Sequence, residues 1–109
     1  GLYFGLYEPP SRLLRKIENM GIKLGSHVES GRVEIIWRPI VEQMIDEIAD
    51  TILENVQRRK VKRLFLDGVG GIKESMIDPY RLTRALSALA NELRYLGVTT
   101  VFTEEVEII

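Results

Sequence analysis

Lys62-Arg63-Leu64-Phe65-Leu66-Asp67, running directly into Gly68-Val69-Gly70-Gly71, is the stretch on which the fold turns. Its apolar run is too short for a helix and reads as a strand from Arg63 to Asp67. The glycines release the chain into a loop from Gly68 to Asp78, long enough to be functional. In open α/β sheets, ligands gather at the carboxyl ends of the strands. Asp67 closes this strand and is therefore the first candidate functional residue.

Upstream, Val41, Met44, Ile45, Ile48, Ala49, Ile52, Leu53 and Val56 recur at i, i+3, i+4 and predict a helix. Pro39 keeps its start apart from the preceding strand. Arg58, Arg59, Lys60, Lys62 and Arg63 gather at its end, where cations complement the helix dipole. Glu54 and Arg58 are spaced to pair one turn apart. Downstream, Asp78-Pro79 opens a helix whose inner face is Leu82, Ala85, Leu86, Leu89, Ala90, Leu93 and Leu96, and Gly97 ends it. Val98 to Thr103 is a fourth strand, followed by an acidic tail. At the other end, Leu2 to Tyr7 is a buried strand stopped by Pro9 and Pro10. Pro10 or Ser11 opens a helix carrying Leu13, Leu14, Ile17 and Met20. Gly21 to Gly31 reads as a polar connection, and Arg32 to Trp37 as the second strand. The order β-α-β-α-β-α-β implies an α/β fold: three layers, with four parallel strands and three right-handed crossover helices.

The chain of 109 residues is one domain, 1–109, with 45% hydrophobic and 28% charged residues, as in soluble globular proteins. A net charge of −1 gives no global field toward nucleic acid or anionic membrane, so tight nucleic-acid binding is not expected. The absence of cysteine excludes disulfides and thiolate chemistry. No apolar run reaches the ~20 residues of a membrane span, and no secretory leader is evident. A cytoplasmic protein is expected.

An acid ending such a strand holds magnesium, often through water, in nucleotide-hydrolysing α/β proteins. Those proteins also carry a G-x-x-x-x-G-K-[ST] loop that cradles the phosphates. No stretch of these residues matches it. Gly68 to Ser75 holds similar residues in another order: Lys73 follows Ile72 rather than a glycine, and Glu74 separates it from Ser75.

The phrases LYFGLYEPPSRLLRKIENMG, RVEIIW, KRLFLDGVGG and LRYLGVTTVFTEE together resemble the KaiC-like branch of the RecA superfamily of ATPases. The resemblance spans nearly the whole chain, beginning at the strand that follows the Walker A helix. Gly97 to Glu104 approximates a characteristic G-x-T-T-x-x-x-T-E phrase. The resemblance implies that Asp67 is the Walker B aspartate, orienting the water shell of magnesium. It puts Glu8 where the family's water-activating acids lie, although Tyr7 stands where many members have a first acid. Gly68 replaces a common serine. Thr103 and Glu104 correspond to the region that senses the γ-phosphate. The strand order implied is second, first, third, fourth, part of a P-loop NTPase core. The family's Walker A strand lies beside the fourth, so Val98 to Thr103 is expected to present an unpaired edge suited to self-association.

The resemblance implies a truncated or degenerate ATPase domain. Its intact form would bind and hydrolyse Mg-ATP for assembly or signalling, commonly as an oligomeric ring. Without the phosphate loop, this chain alone is expected to bind no Mg-ATP and to be inactive. The alternative is a non-catalytic protein-interaction module on the same fold. A flavodoxin-like phospho-acceptor domain built on Asp67 is weaker, because Glu8 is the sole further acid after the first strand. Simpler roles suit other residues: His27 as a surface histidine, Trp37, Met20 and Met44 as packing, the basic cluster as a solvated helix end, and Gly68, Gly70 and Gly71 as a flexible turn.

Overall fold

The computed structural model describes residues 1–6, 8–38, 45–68 and 79–103; for residues 79 and 82 it describes the backbone alone. The elements are β1 (Leu2–Gly5), α1 (Pro10–Asn19), α2 (Leu24–Glu29), β2 (Glu34–Trp37), α3 (Ile45–Arg59), β3 (Arg63–Asp67), α4 (Pro79–Tyr95) and β4 (Thr99–Thr103). All strand pairings are parallel, in the order β2-β1-β3-β4. This is the α/β fold and the strand order expected.

Strand alternation divides the sheet into two unlike faces. Leu2, Phe4, Ile36, Leu64 and Leu66 point to one side and are buried against Ile48, Ile52 and Val56 of α3 and Leu89 and Leu93 of α4. Phe4 and Ile52 are fully buried, at 0% exposure. Each such side chain contributes roughly 1.5–3 kcal/mol by leaving water. On the other side, Tyr3 and Phe65 stack with ring centroids 5.1 Å apart. There, Tyr3, Ile17, Ile22, Leu24, Phe65 and Val101 line an apolar hollow of about 640 Å³ between the sheet and α1–α2.

Several boundaries differ from expectation for identifiable reasons. The connection from Gly21 to Gly31 contains α2, which buries no residue and so leaves no apolar periodicity to read. A second helix therefore joins β1 to β2. β2 starts at Glu34 rather than Arg32 because the N–H groups of Arg32 and Val33 donate to the carbonyl of His27, at 3.0 and 3.1 Å. β4 starts at Thr99 because Val98 donates to Leu93 O at 2.9 Å, closing α4. Pro10, not Ser11, opens α1, and Pro9 is its N-cap.

Met20 is not a packing residue: it lies beyond the last turn of α1 and is 69% exposed. Arg58 pairs not with Glu54 but with Glu34 of β2, at 3.1 Å, and also donates to Asn55. Arg59 joins the same carboxylate at 3.0 Å and donates to the carbonyl of Gly31 at 2.6 Å. Part of the basic cluster thus ties α3 to the amino end of the sheet. His27 is exposed, as expected. The expectations for Tyr7, Pro39, Val41, Met44, the loop beyond Gly68, Asp78 and the acidic tail lie outside the described residues.

Candidate functional site

At the carboxyl end of the sheet, Trp37, Gly5, Asp67 and Thr103 fall in one row across β2, β1, β3 and β4. Strand alternation puts the side chains of Trp37, Asp67 and Thr103 on the face that also carries Tyr3 and Phe65. Asp67 is part-buried, and each of its carboxylate oxygens accepts one hydroxyl. Tyr3 donates to Oδ2 at 2.5 Å, and Thr103 donates to Oδ1 at 2.6 Å. An ionised carboxylate has about four lone-pair positions, so acceptor capacity remains on both oxygens. The backbone braces the same point: Leu6 N–H donates to Asp67 O at 3.2 Å, and Gly68 N–H to Thr103 O at 3.2 Å.

Gly68 has φ +99°, a conformation that side chains other than glycine's resist. This accounts physically for a glycine immediately after the acid. At Gly5 the reason is space: a Cβ there would lie 3.1 Å from Cε1 of the Tyr3 ring. The ring occupies the room that a side chain at position 5 would fill.

The Tyr3 phenol is pushed up well beyond its ordinary value. Burial is the largest cause, followed by the hydrogen bond to Asp67 and then the negative charges of Asp67 and Glu8. Tyr3 is therefore a protonated donor throughout the neutral range. Glu8 lies between β1 and α1, and its carboxylate is 3.6 Å from Lys16 Nζ. Lys16 is 66% exposed, so the pair is worth under about 1 kcal/mol. Trp37 Nε1 is buried and finds no hydrogen-bond partner among the described residues.

The structure thus brings together Asp67 and Thr103 of the expected site residues. It leaves Glu8 on the neighbouring turn, joined to Lys16. Glu104 lies outside the described residues. Tyr3 escapes notice in the sequence because it reads simply as an aromatic strand residue. Strand alternation and parallel register, which put residues 3, 5, 65 and 67 on one face, are the signal that could have found it.

No group of three or more His, Cys, Asp or Glu side chains comes together among the described residues. A full protein cage for a metal is therefore not formed by them. A single held carboxylate does suit magnesium, which keeps several waters and is commonly bound through one or two carboxylates plus phosphate oxygens. No helix among the described residues is long and apolar enough to cross a membrane.

A family profile described as "ATPase: KaiC" matches residues 1–108. The circadian clock protein KaiC3 of Synechocystis is 28% identical over 114 residues, covering 96% of this chain and 23% of that protein. A crystal structure of a KaiC-like protein from the hyperthermophilic archaeon Pyrococcus horikoshii superposes with a TM-score of 0.78 at 24% identity. That match covers 96% of this chain and 47% of the archaeal chain. The chain thus spans about a quarter of its curated relative and about half of the solved one. The profile runs essentially from end to end, and the parallel sheet is that of the structural neighbour. The chain belongs to the KaiC family of ATPases.

Proposed function

We propose that this chain supplies the metal-orienting side of a KaiC-like Mg-ATP site, with Asp67 holding the water shell of magnesium. The observation that carries this is the Asp67 carboxylate at the end of β3, with each oxygen held by one hydroxyl and each retaining acceptor capacity. When bound, magnesium would supply the positive charge that offsets phosphate charge during phosphoryl transfer. Glu8 is the water-activating base of the intact site, after release from Lys16. Thr103 acts through Asp67, because its single O–H is already donated there. Glu104 completes the phosphate-sensing region.

The 109 residues contain no G-x-x-x-x-G-K-[ST]. The chain is a truncated or degenerate form of the domain, and alone it neither binds Mg-ATP tightly nor turns it over. It acts in the cytoplasm, in assembly or signalling. Titration with a fluorescent ATP analogue should show no saturation below millimolar concentration, with or without magnesium. Fusion of a family strand–loop–helix segment carrying the phosphate loop should restore magnesium-dependent binding, and Asp67→Ala should then weaken it at least tenfold. Equal binding by the fused protein and its Asp67→Ala variant would remove Asp67 from the metal site.

A second reading, a non-catalytic interaction module, is favoured by β4. Among the described residues no strand pairs with its outer edge, and Val101 is 49% exposed beside the apolar hollow. Such an edge is a template for another strand, and self-association through residues 98–103 follows. Light scattering across concentrations tests it: a monomer throughout contradicts self-association.

A further inference from the structure

We propose that Tyr3 is a positioning residue for Asp67, and that Gly5 supplies the clearance that lets it act. The inference rests on the reading of Asp67 as the magnesium-orienting acid and adds what fixes that acid's geometry.

In the parallel register Tyr3 lies opposite Phe65, and Gly5 lies opposite Asp67. Tyr3 therefore starts two residues short of the carboxylate, about 6.5 Å at the usual strand rise. To reach Oδ2 at 2.5 Å, the phenol leans along its own strand, over position 5. Any side chain at position 5 would contest that path, since even a Cβ would sit 3.1 Å from the ring. The ring is steadied from the side by stacking on Phe65, at 5.1 Å and 16° between planes.

The hydroxyl oxygen of Tyr3 and that of Thr103 bracket the carboxylate from opposite neighbouring strands, β1 and β4. One donor would leave the group free to swing about its χ angles; two donors on different oxygens fix its plane. Each oxygen keeps lone pairs for a metal-bound water. Orientation of this kind, from outside the metal's own ligands, commonly changes metal affinity tenfold or more.

The test uses the isotopically labelled chain and three variants. Tyr3→Phe keeps the stacked ring and removes the hydroxyl. Gly5→Ala keeps the hydroxyl and crowds the ring. Asp67→Asn removes the carboxylate. The first readout needs no metal: the Hα–Hβ couplings of Asp67 report whether χ1 holds one rotamer. We expect one rotamer in the parent, averaging in Tyr3→Phe, and a smaller change in the same direction in Gly5→Ala. The second readout is Mn²⁺-induced broadening of the Gly68 amide. Its half-maximal concentration should rise at least threefold in Tyr3→Phe, and the broadening should be lost in Asp67→Asn. Parent-like couplings in Tyr3→Phe would overturn the proposal, since Thr103 alone would then hold the acid. Loosening in Tyr3→Phe with none in Gly5→Ala would overturn the role of Gly5. Broadening that survives Asp67→Asn would instead sink the metal reading, while the couplings still decide the role of Tyr3.

Discussion

The two faces of the sheet are built from alternate residues of the same strands, yet they do different work. One face (Leu2, Phe4, Leu64 and Leu66) is sealed beneath α3 and α4 and holds the fold. The other (Tyr3, Phe65, Asp67, Val101 and Thr103) carries hydroxyls, a carboxylate and an apolar hollow under α1 and α2. A shift of one residue in β1 or β3 would exchange the two sets. Burial on the first face therefore fixes the register that aligns Gly5 with Asp67 and brings Tyr3 within reach of it. Packing and chemistry are coupled through the strand period, even though no core residue is needed in the site.

If that division is right, substitutions should separate sharply by face. Phe4→Ala, in the sealed face, should cost about 3–5 kcal/mol in denaturant unfolding. Val101→Thr, on the open face, should change stability by under about 0.5 kcal/mol. Similar losses for both would mean that the open face is also part of the core. Next in size, Gly68→Ala should cost about 1–2 kcal/mol by the same assay, because its φ is +99°. Thr103→Val should cost about 1 kcal/mol, the worth of one hydrogen bond to a part-exposed acid. It should also release the Asp67 carboxylate on the Oδ1 side, visible as averaged couplings.

The smallest effect concerns pH. The folded chain holds the Tyr3 proton more tightly than the unfolded chain does. Above the ordinary phenol value near pH ~10 the folded state therefore binds more protons, and stability falls as pH rises. Below that value the contribution is fully present. Tyr3→Phe should flatten this alkaline fall relative to the parent. Because Tyr3 is part-exposed, the difference should be only a fraction of the limiting ~1.4 kcal/mol per pH unit. An identical alkaline slope in both proteins would argue that the hydroxyl is not held.

Much of the fold is legible in the order of residues. The stripe from Ile45 to Val56 and the apolar run ending at Asp67 are strong periodic patterns, and both elements form where expected. α2 is not legible, because six residues with no buried side chain leave no stripe. The true starts of β2 and β4 are shifted by helix-closing hydrogen bonds at Arg32, Val33 and Val98, each just after a left-handed glycine, Gly31 or Gly97. The glycines mark the helix ends but not how many following residues the closure takes from the strand. Of the site, Asp67 stands out as an acid ending an apolar strand. Tyr3 and Gly5 do not, because their roles exist only once two strands lie side by side. The pairing of Glu8 with Lys16 likewise depends on how α1 turns back after Pro9 and Pro10.

We propose that a divalent metal binds at the open end of the sheet, at Asp67. Site-resolved NMR of the chain during a Mn²⁺ titration tests it most directly. Broadening is expected to centre on Asp67, Gly68 and Thr103 and to be abolished by Asp67→Asn. Broadening confined to the acidic tail at Glu104, Glu105 and Glu107, or unchanged by Asp67→Asn, would contradict it.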